Sequence, residues 1–584
     1  MSNRPAALTG INFSRCGFCQ KGLKLGSWRA TMQHFHPPRA VGATSPKLIS
    51  QDEPSPLRKR VAKGTSLHRS RSRIAIEFEL KLAAPPEDLE KVERALLAMP
   101  IMRSERQTNV VSTYYDTPAL ILNREGLTLR VRKQGQSFVQ TVKANDLIGK
   151  NVWERREWEE PITSSRPDLN APKTRAHLPQ AIREKELRSI FTTAVTRKVI
   201  EIEPHPSTRI EVAIDKGEIR TADGGAVEPI SEIELELKDG YPAPLYDLAL
   251  RLLEFAEIRL EMSSKAERGY RLAGTATLPR AVQAEPVTLD PAMAVEAALR
   301  SFAQACLNHL LNNEKAALAG EPEAIHQMRV AVRRLRSALS VMKSMLPAED
   351  YRWASEELKW IAHSLAPARN WDIFVADLLR PVRDALPDRR DLDLLVGAAE
   401  RCRRAAFDNA KHAIRSKRHT ESMLRLLRWF AVCGWRDQPI SENSALLLAP
   451  IVDVAPVLIK HCYRKARRRC KHFEEQTPAE RHKLRIALKK VRYTIEFLGS
   501  LFDEYDVRLL VNRLKALQDY LGHANDVRVA YDLISECRDV KNHDASVIDR
   551  AGGIVLGWHE RVLADREAKL RKHVRRFKQL DPFW

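Results

Sequence analysis

Residues 74 to 82 alternate strictly, Ile-Ala-Ile-Glu-Phe-Glu-Leu-Lys-Leu, with Ile76, Phe78, Leu80 and Leu82 on one side and Glu77, Glu79 and Lys81 on the other. A side-chain period of two is that of a strand, so the pattern predicts a strand with two carboxylates and an ammonium on one face. Similar stretches follow at 109–116, 127–133, 138–144, 153–160, 195–203, 208–217 and 226–238, separated by Gly, Asn and Pro turns. Short strands so punctuated predict an antiparallel barrel or sandwich. Helical spacing interrupts them at 85–99, where Leu89, Val92, Leu96 and Leu97 recur behind Pro86, and at 243–257. After Asp290 the period becomes 3.6, with breaks near Pro347, Pro387, Pro439 and Pro450. That change predicts a second domain of helix-bundle type.

The helical text repeats itself. Residues 326–336 match 482–492 at an offset of 156, and 365–372 match 521–526 with a two-residue gap. A duplicated unit predicts two similar bundles about a pseudo-two-fold axis. In each copy, positions 0, 3, 7 and 10 fall on one helical stripe. They are His326, Arg329, Arg333 and Arg336, then His482, Arg485, Lys489 and Arg492.

The chain of 584 residues is too long for one core. We read 1–73 as a disordered basic N-terminal extension, 74–274 as the β-rich domain, 275–289 as an Ala, Pro and Thr linker, and 290–584 as the helical domain. The net charge of +22 is spread as +12, −3 and +13 over 1–73, 74–289 and 290–584. The helical half is therefore the folded part expected to attract a polyanion. Few aromatics interleave with its cations, which places single-stranded nucleic acid last among such partners. The eight cysteines, paired in spacing only at Cys16 and Cys19, suit a reducing cytoplasm. No stretch has the 18 apolar residues of a membrane span, so no membrane partner is expected. Oligomeric state has no signature here.

The same-face charges of the strands form a set: Glu77, Glu79 and Lys81; Arg130 and Arg132; Lys143; Arg155, Glu157 and Glu159; Arg209, Glu211 and Asp215; Glu232, Glu234, Glu236 and Lys238. If the apolar partners face outward, these charges fill the lumen of a barrel. Both signs in bulk there need a complement that a polyphosphate with divalent cations provides.

The ordered motifs, from the ExExK start through Tyr114-Tyr-Asp-Thr-Pro118, Leu-Arg-Val-Arg132, Thr141-Val-Lys143, Arg155-Arg-Glu-Trp-Glu159 and Ala213-Ile-Asp-Lys-Gly217 to Glu232-Ile-Glu-Leu-Glu236, resemble the CYTH, or triphosphate tunnel metalloenzyme, family. The resemblance implies an eight-stranded antiparallel tunnel that hydrolyses inorganic triphosphate with Mg2+ or Mn2+. It implies Glu77 and Glu79, with two of Glu232, Glu234 and Glu236, as metal ligands. Lys81, Arg130, Arg132, Lys143, Arg155, Arg197 and Lys265 would grip phosphates, and Glu157 or Glu159 and Asp215 would help hold a metal or the attacking water. The duplicated stripe resembles the CHAD domain, which implies binding of inorganic polyphosphate and association with polyphosphate granules. A class IV-type adenylate cyclase and a non-enzymatic granule protein are the alternative expectations.

Overall fold

The computed structural model describes residues 76–135, 137–144, 154–274, 279–538 and 545–584, apart from the side chains of 76, 77, 134, 154, 155 and 185. The basic extension with Cys16 and Cys19, the start of the linker, and the side chains of Glu77 and Arg155 thus lie outside the described residues.

Nine strands form one antiparallel sheet: β1 Ile76–Ala83, β2 Met102–Asp116, β3 Leu127–Gln134, β4 Ser137–Ala144, β5 Glu154–Ile162, β6 Arg188–His205, β7 Thr208–Thr221, β8 Val227–Asp239 and the two-residue β9 Arg259–Leu260. Their order is β5-β4-β3-β2-β6-β7-β8-β1-β9, and β5 pairs back onto β1 through Glu77↔Arg155. That pairing closes β1–β8 into an eight-strand ring, with β9 as an appendage on β1. Leu80, Leu82, Ile210, Val212, Ile233 and Leu235 point outward. They pack on α1 (Leu89–Leu97) and α4 (Ala243–Leu252), so the alternate charged positions point into the ring. The short helices α2 (Ile121–Arg124) and α3 (Pro172–Arg175) lie between strands, and α5 (Lys265–Leu272) follows β9.

The second half is mainly helical among its described residues: α6 Val295–Ala319, α7 Pro322–Val341, α8 Ala348–Ser364, α9 Ala366–Ile373, α10 Arg380–Ala385, α11 Arg390–Arg415, α12 Lys417–Ala431, α13 Glu442–Ala445, α14 Ile451–Arg469, α15 Pro478–Leu498, α16 Glu504–Arg538 and α17 Ala545–Lys578. A π-helical turn, 374–379, joins α9 to α10. The pseudo-two-fold shows directly in two contacts between α7 and α15. Arg334 meets Glu496 at 3.6 Å and Lys490 meets Ser340 at 2.6 Å, and a shift of 156 residues converts either pair of positions into the other.

The described part of the 275–289 stretch is packed rather than a free tether. Val287 and Leu289 are buried, and the amide of Val282 donates to Asn313 of α6 at 2.9 Å. One apolar core runs from Leu80 and Leu245 through Val287 to Leu299 and Phe302.

Candidate functional site

Strand register sets the charged lumen in rows. One row reads Glu201, Glu211, Glu236, Glu79 across β6, β7, β8 and β1; the next reads Val199, Ala213, Glu234, Lys81; the third reads Arg197, Asp215, Glu232, Ala83. Glu234 is the hub. Its carboxylate accepts from Lys81 at 2.9 Å, Lys265 at 2.8 Å and Arg197 at 2.6 Å. Burial alone would raise its pKa, but Lys265, Lys81 and Arg197 hold it well below the usual carboxylate range. The ammonium of Lys81 is opposed by burial, yet Glu234 and Glu79 keep its pKa above the ordinary lysine value.

Asp215 has a fully buried side chain. It takes both Nε (2.8 Å) and Nη2 (2.6 Å) of Arg197 and the ammonium of Lys265 at 2.7 Å. Glu232 binds Lys265 and Arg268, the latter at 2.9 Å. The ligand atoms of Asp215, Glu232 and Glu234 all lie within 4.8 Å of one another, a set of hard oxygens of the kind Mg2+ or Mn2+ accepts. One row away, burial raises the pKa of Glu236, and Glu79 and Glu211 raise it further against the opposing pull of Lys238. Negative charge is in excess there.

On the facing wall, Arg130 meets Glu157 at 3.0 Å, Lys143 meets Glu157 at 2.5 Å, and Arg132 meets Glu159 at 2.8 Å. Thr141 also donates to Glu159. Arg130 lies close enough to Arg132 to be the main cause of the lowered Arg132 pKa. Neighbouring cations on one wall offer charge-assisted donors to the oxygens of a phosphate chain.

α5 closes one end of the ring. Ala266 and Tyr270 pack on Tyr114, Phe191, Val195, Ile219 and Ile230, which all lie at one end of their strands. Approach is so close at Gly269 that an added Cβ would stand 2.1 Å from the Phe191 ring. The Tyr114-Tyr-Asp-Thr-Pro118 motif serves this closure. The Asp116 carboxylate accepts the amides of Thr117, Leu122 and Asn123 and the hydroxyl of Tyr270 at 3.0 Å. From the sequence, 264–270 reads only as a basic tail. Its helix was nonetheless signalled by the capping box Ser264-x-x-Glu267, which is formed. Arg268, which pairs with Glu228 of β8 at 2.8 Å, goes unread for the same reason.

The two helical stripes converge between α7 and α15. Arg329, Arg333, Arg485 and Lys489 act on one another there, joined by Arg369 of α9 and Asp526 of α16. Burial, then Arg485 and Arg333, bring the Lys489 ammonium down to about 7. Burial and then Arg369 bring His326 to about 4, and burial and Arg333 bring Arg329 to about 10. The Nε atoms of Arg329 and Arg485 and Nδ1 of His326 are buried without a hydrogen-bond partner. His482 Nδ1 contacts Asn525 Oδ1 at 2.9 Å, while His326 faces Arg369. Positions 525 and 369 keep the offset of 156, so the spatial repeat needs no gap at this motif. The last member of each stripe departs from the cluster: Arg336 is exposed, and Arg492 bonds Glu496 at 2.8 Å.

Residues 75–270 match the family model described as CYTH domain, and residues 301–535 match the one described as CHAD domain. The chain is 32% identical over 196 residues to an inorganic triphosphatase of Haemophilus influenzae, covering 34% of this chain and 54% of that protein. It therefore spans about half the length of that relative. Among solved structures, it is 28% identical to the CHAD domain from the plant Ricinus communis (TM-score 0.44; 51% of this chain, 97% of that one). It is 21% identical to the PH1819 protein from Pyrococcus horikoshii OT3 (TM-score 0.23; 33% and 97%).

Proposed function

The chain joins a CYTH domain to a CHAD domain, and from that premise we propose that its tunnel hydrolyses inorganic triphosphate to diphosphate and phosphate while its helical domain binds inorganic polyphosphate. The observation that carries the first half is the convergence of Lys81, Arg197 and Lys265 on Glu234 inside a closed ring, with Arg130, Arg132 and Lys143 across the lumen. We keep 74–274 and 290–584 as the two working units.

Asp215, Glu232 and Glu234, with Glu77, Glu79 and Glu236 alongside, would hold Mg2+ or Mn2+. Such an ion supplies Lewis-acid neutralisation of phosphoryl charge when bound. The protein's own part is positional. Lys81, Arg197 and Lys265 receive one stretch of the phosphate chain, and Arg130, Arg132, Lys143 and Arg155 the other. Entry of the substrate exchanges carboxylate partners for phosphate oxygens at each of these cations. Glu157 and Glu159, freed in part from their arginines, then orient water toward the terminal phosphorus. Asp215 stays buried and fixes the Arg197 fork.

In the helical domain, an anion between α7 and α15 relieves the mutual repulsion that depresses Lys489, Arg329 and His326. Six free cysteines among the described residues fit a reducing cytoplasm, where polyphosphate granules form. Among the described residues no helix is long and apolar enough to cross a membrane.

The test is phosphate release from triphosphate, ATP and thiamine triphosphate with each metal in turn, with cyclic AMP measured in parallel. Release from inorganic triphosphate above the others is expected; cyclic AMP as the product from ATP would replace this reading with the cyclase one.

A further inference from the structure

The first helix of the helical domain reaches the closed end of the tunnel. Lys315, near the end of α6 and inside the CHAD match, donates from Nζ to Ser263 Oγ at 3.0 Å. Ser263 belongs to the connector between β9 and α5, which hydrogen bonds tie at Glu261, Ser263 and Ser264. The Glu261 amide donates to the carbonyl of Lys81 at 2.9 Å, and the Ser263 amide donates to the Glu261 carboxylate at 2.7 Å. Ser264 and Glu267 then close the capping box at 3.1 and 2.8 Å. The next residue is Lys265, whose ammonium stands among Asp215, Glu232 and Glu234.

A lysine here is not a neutral choice of packing. Its charge lies near Glu261 and Glu228 and also near Arg271 and Arg268. Burial acts against the ammonium, and it is held in place for a single hydroxyl. A spacer between domains would fill the same volume with methionine at no such cost.

We infer that Lys315 is a positioning residue for the tunnel: from the helical domain it fixes the 261–264 connector, so that Lys265 stands where a phosphate must be received. The inference rests on the triphosphatase reading.

The experiment uses the full chain. Steady-state kinetics with inorganic triphosphate are measured for wild type, Lys315→Met, Lys315→Arg and Ser263→Ala, together with the melting temperature. Lys315→Met and Ser263→Ala raise KM about 5- to 30-fold with kcat nearly kept, the span expected for one lost contact in a half-buried site. Lys315→Arg restores most of the loss. Ser263→Ala removes the same bond from the other side and carries the test if Lys315→Met does not fold. A wild type that releases no phosphate overturns the underlying reading and this inference with it. A wild type that turns over, beside Lys315→Met and Ser263→Ala proteins of unchanged KM, overturns the inference alone. So does a Lys315→Arg protein as impaired as Lys315→Met.

Discussion

Lys81 of β1 and Glu234 of β8 stand opposite each other in strand register, their side chains 2.9 Å apart in the lumen. Arg197 and Lys265 share the same carboxylate, the first from β6 beyond β7 and the second from the helix that closes the ring. Glu79, Asp215 and Glu232 share these three cations, so each cation is already paired and a bound phosphate chain takes the place of carboxylate partners at each of them.

Lys81→Ala should therefore abolish metal-dependent phosphate release, lowering kcat/KM by about 100-fold or more, the usual scale for removing one preorganised charge from a transition state. Glu79→Ala should do the same by weakening metal binding. The check is phosphate release by purified protein of unchanged circular dichroism. Turnover within a factor of about three of wild type would remove the tunnel from the mechanism.

Gly269→Ala should unseat α5, because a methyl group there meets the Phe191 ring at 2.1 Å. Overpacking of this kind costs about 1–3 kcal/mol, so the melting temperature falls and KM rises together as Lys265 is displaced. Phe191→Leu added to Gly269→Ala should recover part of both. A Gly269→Ala protein with native KM would show that α5 does not set the Lys265 position.

The strands were readable because their alternation is local, and the charged set was readable with them. Ring closure was expected from the family resemblance and not from local pattern: Glu77 and Arg155 pair across nearly eighty positions, and nothing local marks which strand will find β1. The nominal linker followed the same rule, since its composition is that of a tether, while Asn313 and His309 of α6 hold Val282 in place. In the helical half, the 3.6 period placed three members of each stripe correctly. It could not foresee Glu496 four residues past Arg492, which captures that side chain within its own helix. Arg369 and Asp526 lay in the second repeated motif, and only folding shows that they turn toward the stripes.

Arg329 and Arg485 sit at equivalent places in the two copies, and each buries an Nε without a partner. Polyphosphate binding by the full chain should weaken steeply with salt, since binding releases counterions from the polymer. Arg329→Ala with Arg485→Ala should reduce affinity at low salt by about tenfold or more and flatten the salt slope, as seen by calorimetry with long-chain polyphosphate. Undiminished binding by the double variant would move the polyanion off this groove.

Lys489 gives that binding a pH signature. In the free protein its ammonium is brought down to about 7 by burial and by Arg485 and Arg333, so near neutral pH roughly half the molecules carry the neutral amine. A bound polyanion favours the charged form and raises the pKa toward the ordinary lysine value. Binding therefore takes up about half a proton at this site at pH 7, rising to about nine tenths at pH 8. By linkage, affinity is greatest below pH 7 and declines as pH rises from 7 toward 9. Calorimetry in buffers of different ionisation enthalpy measures the uptake directly. Lys489→Met should abolish it and leave affinity independent of pH over the same range, whereas uptake that persists in Lys489→Met would assign the proton to another group.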